Sequence, residues 1–122
     1  RTDMPTRTLL ILDDRPEILR SLKRYLASHF REILVASTPD EAEAHLRASK
    51  PDTLLCDYWL GDDVPTGTEL IARWRVEFDC LRQVFLMTGT KASALTGAHH
   101  ADRVFEKPLN MPLLMAFLFP PA

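Results

Sequence analysis

The segment "LLILDDRPEI", Leu9 to Ile18, is apolar until it meets two adjacent carboxylates, Asp13 and Asp14. A second apolar run, "DTLLCD", ends in Asp57, a third, "QVFLMT", ends in Thr88, and "RVFEKP" carries Lys107 before a proline. If the fold gathers these residues, three neighbouring carboxylates repel one another and either take up protons or neutralise their charge with a cation. An oxygen-lined acidic cluster beside a lysine favours Mg²⁺, a hard ion that keeps several waters and bridges carboxylates to phosphate oxygens. An ionised aspartate there can act as a covalent nucleophile towards phosphorus, forming an acyl phosphate with no proton to lose and no general base. Phosphoryl transfer asks mainly for positioning and for positive charge around the moving oxygens, which the metal and Lys107 would supply. Singly, each residue has a plainer reading. Paired acids at a strand end complement a helix dipole, Asp57 ends a turn, Thr88 before Gly89 leaves a strand, and Lys107-Pro108 turns at the surface. Their shared placement on one sheet edge is what makes them a candidate site.

That placement follows from the elements. Apolar runs alternate with helix-period segments along the chain, the pattern of β and α by turns. Strands are expected at Thr8 to Asp13, Glu32 to Ser37, Asp52 to Asp57, Gln83 to Thr88 and Arg103 to Pro108. After the first, Ile18, Leu22, Tyr25 and Leu26 fall on one helical face, with Pro16 suited to the first turn. Thr38, Pro39, Asp40 and Glu41 spell a capping box that opens a helix through Ala42 and Leu46. Thr66 to Phe78 reads as a helix with Leu70, Ile71, Trp74 and Phe78 inward, and Met111 to Phe119 as a last helix carrying Leu113, Leu114, Phe117 and Leu118. Between Thr90 and Ala101 the helical signal is weak, interrupted by Gly97 and His99-His100. Parallel neighbours require long crossovers, and right-handed ones put helices on both faces. The expected fold is therefore a single α/β domain, a doubly wound, mostly parallel five-stranded sheet. Ligands of such sheets gather at the carboxyl ends of the strands, where Asp13, Asp14, Asp57, Thr88 and Lys107 all lie.

Composition narrows the function classes. The 122 residues suit one domain. With 15 basic against 17 acidic side chains and a net charge of -2, the chain has no dense basic stripe, so direct nucleic-acid binding is not expected. The apolar runs fall far short of the roughly 20 residues that cross a bilayer, and no basic-then-apolar leader opens the sequence, so no membrane insertion and a cytoplasmic location are expected. Cys56 and Cys80 are isolated, without C-x-x-C or histidine at ligand spacing, and read as core or surface thiols. His29, His45, His99 and His100 read as solvated. The chain opens at Arg1 without an initiator Met and ends "FPPA", so we expect a module, residues 1-122 with a core of about 8-119, taken from a longer protein.

The ordered set Asp13-Asp14, Asp57, Thr88 and Lys107-Pro108 on this βα framework resembles the receiver domain of two-component response regulators. The resemblance spans about Thr8 to Phe119 and rests on five separated positions. It implies a flavodoxin-like sheet of strand order 2-1-3-4-5. It also implies that Asp57 accepts a phosphoryl group from a phosphohistidine of a histidine kinase or histidine phosphotransfer domain. By the same resemblance Asp14 would coordinate Mg²⁺ directly, Asp13 largely through water, and Asp57 and the main-chain carbonyl of Trp59 would complete the protein ligands. Thr88 would bond the phosphoryl oxygens and Lys107 would pair with them. A local charge event of this kind becomes a surface change when a hydroxyl such as Thr88 is drawn to the new acceptor and carries its loop along.

Several positions depart from the family pattern. Gly67 follows Asp57 by ten residues, a slightly long loop similar to that of receivers in hybrid histidine kinases, and "EKPLNMPLLMAFL" leans the same way. Val104 stands three residues before Lys107, where many receivers carry a switching aromatic; Phe105 is next door, and strand parity sends it to the other face. Only 19 steps separate Thr88 from Lys107, which predicts a short or irregular fourth helix. Trp59 beside the pocket is expected to shield an acyl phosphate from water. Two other classes stay in view: a degenerate receiver that binds partners without phosphorylation, and a Mg²⁺-dependent aspartate-nucleophile phosphatase of the haloacid dehalogenase type. The latter normally has its nucleophile in D-x-D, and position 59 is Trp. A homodimer is left open, as are the output and the cognate kinase.

Overall fold

The computed structural model describes residues 4–121, so the outermost positions of the expected 1-122 extent, residues 1–3 and 122, lie outside the described residues. The strands are β1 (Thr8–Leu12), β2 (Glu32–Ala36), β3 (Thr53–Asp57), β4 (Gln83–Thr88) and β5 (Arg103–Glu106). They form one parallel sheet in the order β2-β1-β3-β4-β5. Helices α1 (Pro16–Leu26), α2 (Pro39–Ser49), α3 (Gly67–Glu77) and α4 (Met111–Leu118) cover both faces. The doubly wound reading and its strand order hold.

The sheet is buried on both sides because each strand alternates between two apolar layers. Leu10, Leu12, Leu54, Cys56, Val84 and Leu86 pack with Ala42, Leu46, Leu70, Ile71 and Trp74 from α2 and α3. Leu9, Ile11, Leu55, Phe85, Met87 and Phe105 pack with Leu19, Leu22, Leu26, Leu114 and Leu118 from α1 and α4. Val104 leans on the first layer and Phe105 lies in the second, so the two do face apart.

Four details differ from the sequence reading. On α1 the buried stripe is Leu19, Leu22 and Leu26, while Tyr25 is exposed, because a 100° step carries Tyr25 to the flank of that stripe. The capping box at α2 closes differently: Thr38 Oγ1 accepts from Glu41 N–H, but the Glu41 carboxylate accepts from the N–H and hydroxyl of Ser37 instead of from Thr38. His45 is half-buried, its Nε2 3.1 Å from the carbonyl of Val35, and Leu113, expected among the apolar positions of α4, is exposed. His29, His99 and His100 are exposed, as expected.

Between β4 and β5 the chain makes two single 3₁₀ turns, Ala92–Ala94 and Ala98–His100, where a fourth crossover helix would otherwise lie. Gly97, at φ 76°, starts the second in a left-handed conformation. The irregular fourth crossover is thus a feature of the fold. The last helix is tied down from the opposite edge. Arg7 donates to the carbonyl of Leu118 at 2.6 Å, to Thr53 Oγ1 at 2.9 Å and to Gln83, and its guanidinium lies over the rings of Phe119 and Phe30.

Candidate functional site

Each strand of the sheet centre delivers one polar side chain to the carboxyl edge. Asp13 follows β1 directly, and its N–H donates to the carbonyl of Ala36, so the ladder holds it in register as the chain turns to α1. Asp57 is the last residue of β3, and the N–H of Tyr58 donates to the carbonyl of Met87 on β4. Thr88 closes β4, and its carbonyl accepts from the N–H of Lys107 at 2.7 Å just beyond β5. Asp13 and Thr88 are fully buried, Asp57 nearly so, and Asp14 is exposed.

Glycine at position 67 is what lets α3 start against this edge. Its N–H donates to the carbonyl of Tyr58 at 2.7 Å, and a Cβ there would sit 2.3 Å from the carbonyl oxygen of Asp57 and 2.8 Å from Leu86 Cδ1. The close approach, rather than backbone conformation, requires glycine. The connecting loop from Tyr58 to Thr66 includes Trp59, whose side chain is 55% exposed, and Thr66 caps α3 by accepting from Glu69 N–H.

Lys107 knits the acids together. Its Nζ lies 3.0 Å from Asp57 Oδ1 and 3.1 Å from Asp13 Oδ2, while Asp13 Oδ1 accepts from the N–H of Arg15 at 2.9 Å. Carboxylate oxygens of Asp13, Asp14 and Asp57 lie within 4.8 Å of one another. Burial and then the charge of Asp13 push the Asp57 carboxyl up to about 6 from its ordinary 3.8, with Lys107 working against them. Burial pulls the Lys107 ammonium down, but the two carboxylates more than offset it and the net direction is up. Three carboxylates and one ammonium leave two formal negative charges on a cluster of hard oxygen donors. A divalent hard cation fits that deficit in charge and in ligand type.

The structure thus gathers Asp13, Asp14, Asp57 and Lys107. It brings Thr88 to the same edge through its main-chain bond to Lys107, but the Thr88 hydroxyl is turned to Thr90. Thr88 Oγ1 accepts from Thr90 N–H at 3.0 Å and lies 3.0 Å from Thr90 Oγ1. Thr90 was not picked out by the sequence, although the spacing "TGT" carries the signal: a hydroxyl two residues after a hydroxyl invites a local turn of this kind. The bridging of Asp13 by Lys107 was equally invisible, because it depends on how far the lysine stem reaches across the strands.

Residues 9–119 match the family model described as "Response regulator receiver domain". Solved structures share the fold. A two-component response regulator from Clostridium difficile is 24% identical, covering 93% of this chain and 93% of its own, with a TM-score of 0.81. A CheY-like response regulator receiver domain protein from Methanospirillum hungatei is 26% identical, covering 92% and 90%, with a TM-score of 0.79. The response regulator TrrA from Thermotoga maritima, solved in complex with Mg(2+)-BeF, is 23% identical over 93% and 96%, with a TM-score of 0.79. No curated protein matches the sequence.

Proposed function

The chain belongs to the response regulator receiver domain family, and from that membership we propose that it takes a phosphoryl group from a phosphohistidine onto Asp57 and signals by the surface change that follows. The observation that carries this reading is the convergence of Asp13, Asp14 and Asp57 within 4.8 Å, with the Lys107 ammonium 3.0 Å from the proposed nucleophile. In this reading Asp13, Asp14, Asp57 and the main-chain carbonyl of Trp59 would hold Mg²⁺. When bound, the ion supplies positive charge to the phosphoryl oxygens and relieves the repulsion among the acids.

The chain's own residues do the rest. The ladder bonds around Asp57 and the packing of Gly67 against its carbonyl hold the nucleophile's backbone still, which favours in-line attack. Asp57 Oδ attacks phosphorus, the P–N bond to the donor imidazole breaks, and its electron pair stays on the imidazole nitrogen. Lys107, already at Asp57 Oδ1, would follow the transferred oxygens, and Thr88 would donate its single proton to one of them.

The donor would be a histidine kinase or histidine phosphotransfer domain. An apolar pocket between α1 and the start of α4, lined by Ile18, Leu22, Lys107, Pro108, Leu109 and Met111, opens beside the reacting edge. A phosphohistidine-bearing helix seated there would bring its imidazole near Lys107, and this contact suits a protein donor. The described residues contain no helix long and apolar enough to cross a membrane.

The test is to incubate the chain with acetyl phosphate and Mg²⁺ and to follow protein-bound and released phosphate together. Stoichiometric labelling with slow release supports the receiver reading. Many turnovers of free phosphate would make it a phosphatase, and no labelling would make it a degenerate interaction module.

A further inference from the structure

Position 15 breaks two local rules at once. As the N-cap of α1, Arg15 has an extended backbone, φ -103° and ψ 111°, and its side chain makes no cap bond, where serine, threonine, aspartate or asparagine would. It also puts a cation at the positive end of the helix dipole. The backbone is nonetheless held from both sides. The Arg15 N–H donates to Asp13 Oδ1 at 2.9 Å, and its carbonyl accepts from the N–H groups of Ile18 and Leu19 at 3.1 and 3.2 Å. Only the side chain is free to turn. Its Nε lies 3.1 Å and its Nη2 3.0 Å from the same oxygen of Glu17, in a pair whose side chains are 64% and 54% exposed. Both contacts fall on one carboxylate oxygen, so the guanidinium fork is not matched, and water screens the pair. Residues that break local rules in this way commonly serve the site they adjoin.

We propose that Arg15 is a mobile cation for the incoming phosphoryl group: it leaves Glu17 to pair with the phosphoryl oxygens of the donor, and Glu17 is the positioning residue that parks it between transfers. This rests on the phosphorylation reading above. Charge balance argues for it. Asp13, Asp14, Asp57 and Lys107 sum to two negative charges, which a divalent ion cancels, and a phosphoryl donor then brings about two more. Lys107 already sits between two carboxylates, so the edge is short of positive charge at the moment of transfer. Arg15 is tied by its main chain to one of those acids. Its guanidinium offers five N–H donors in a planar fork, which suits the several oxygens of a phosphoryl group better than the single oxygen of Glu17. Glu17 keeps its place when Arg15 departs, because its carboxylate also accepts from its own main-chain N–H.

The experiment measures the rate of labelling by acetyl phosphate in Mg²⁺ against donor concentration, with thermal melts in the same buffer, for the parent, Arg15→Asn, Glu17→Gln and the double variant. Asparagine is the better N-cap, so Arg15→Asn should melt at or above the parent. Its labelling efficiency at low donor should nevertheless fall by about fivefold, near the most that an exposed charge pair supplies. Glu17→Gln should label faster, because Arg15 is no longer parked, and the double variant should label as Arg15→Asn does. High salt should close the gap between the parent and Arg15→Asn. Equal efficiency of Arg15→Asn and the parent, or a fall in melting temperature and efficiency together, would overturn the mobile cation. Faster labelling by Glu17→Gln that persists in the double variant would overturn the parking. A parent that takes no label fails the phosphorylation reading itself, whereas a labelled parent that is indifferent to Arg15 fails this inference alone.

Discussion

Nζ of Lys107 lies 3.0 Å from Oδ1 of Asp57, yet the carboxyl of Asp57 stays near 6, well above its ordinary value. One ammonium shared with Asp13 does not offset the burial of the carboxylate and the charge of Asp13. Folded Asp57 therefore keeps a proton between about pH 4 and 6 that the unfolded chain has already released. Its contribution makes the fold most stable at the acidic end of that window, with stability falling as pH rises through it and levelling above. Asp57→Asn removes the effect. In divalent-free buffer the variant should be more stable than the parent at pH 7, by on the order of 2 kcal/mol. The difference should shrink as pH falls towards 4, as read from urea denaturation across that range. A difference that grows on acidification would contradict the crowding of negative charge at this edge.

Gly67→Ala tests the seat of the nucleophile. The new Cβ would meet a main-chain oxygen at 2.3 Å and Leu86 Cδ1 at 2.8 Å, so β3 and α3 must separate. A loss of about 2–3 kcal/mol is expected, together with slower phosphate labelling because the backbone of Asp57 shifts. Denaturation within about 0.5 kcal/mol of the parent would show that the edge yields more easily than the packing implies.

Asp14 separates metal holding from folding. It is exposed, so Asp14→Asn should leave stability without divalent ions within about 0.5 kcal/mol of the parent. Mg²⁺ at a hundredfold excess over its dissociation constant should stabilise the parent by about 2.7 kcal/mol, and the same concentration should do much less for the variant. Thermal melts with and without Mg²⁺ provide the comparison, and equal stabilisation of both chains would remove Asp14 from the ligand set.

Trp59 stands two residues after Asp57 with its ring largely in solvent. If its bulk keeps water from the acyl phosphate, Trp59→Asn should lose phosphate faster than the parent once donor is removed. An unchanged half-life would retire the shielding role.

Much of this molecule was legible in its sequence because the signals were local or periodic. The five strand runs, the helix-opening Thr38-Pro39 and Thr66-Gly67, and the acids that end β1 and β3 all fall within a few residues of where pattern and capping put them. The 19 steps between Thr88 and Lys107 likewise pointed to a short or irregular fourth crossover. What escaped depends on side chains meeting across elements. Tyr25 left the buried stripe of α1 by one helical step, Glu41 found Ser37 instead of Thr38, and Lys107 reached Asp13 as well as Asp57. The hold of Thr90 on Thr88 and the anchoring of α4 by Arg7 belong to the same class. Periodicity reports which face a residue occupies, but not which of several polar neighbours its flexible end will choose.

The central claim is that Asp57, among acids that call for a magnesium ion, is a seat for phosphate. It is tested most directly by labelling the chain with acetyl phosphate, in Mg²⁺ and in excess chelator, and locating the phosphate by peptide mass spectrometry. The account predicts one phosphate per chain, on the peptide and side chain of Asp57, formed in Mg²⁺, lost with chelator and absent from Asp57→Asn. Labelling at another residue, or at Asp57 to the same extent in chelator, would contradict it.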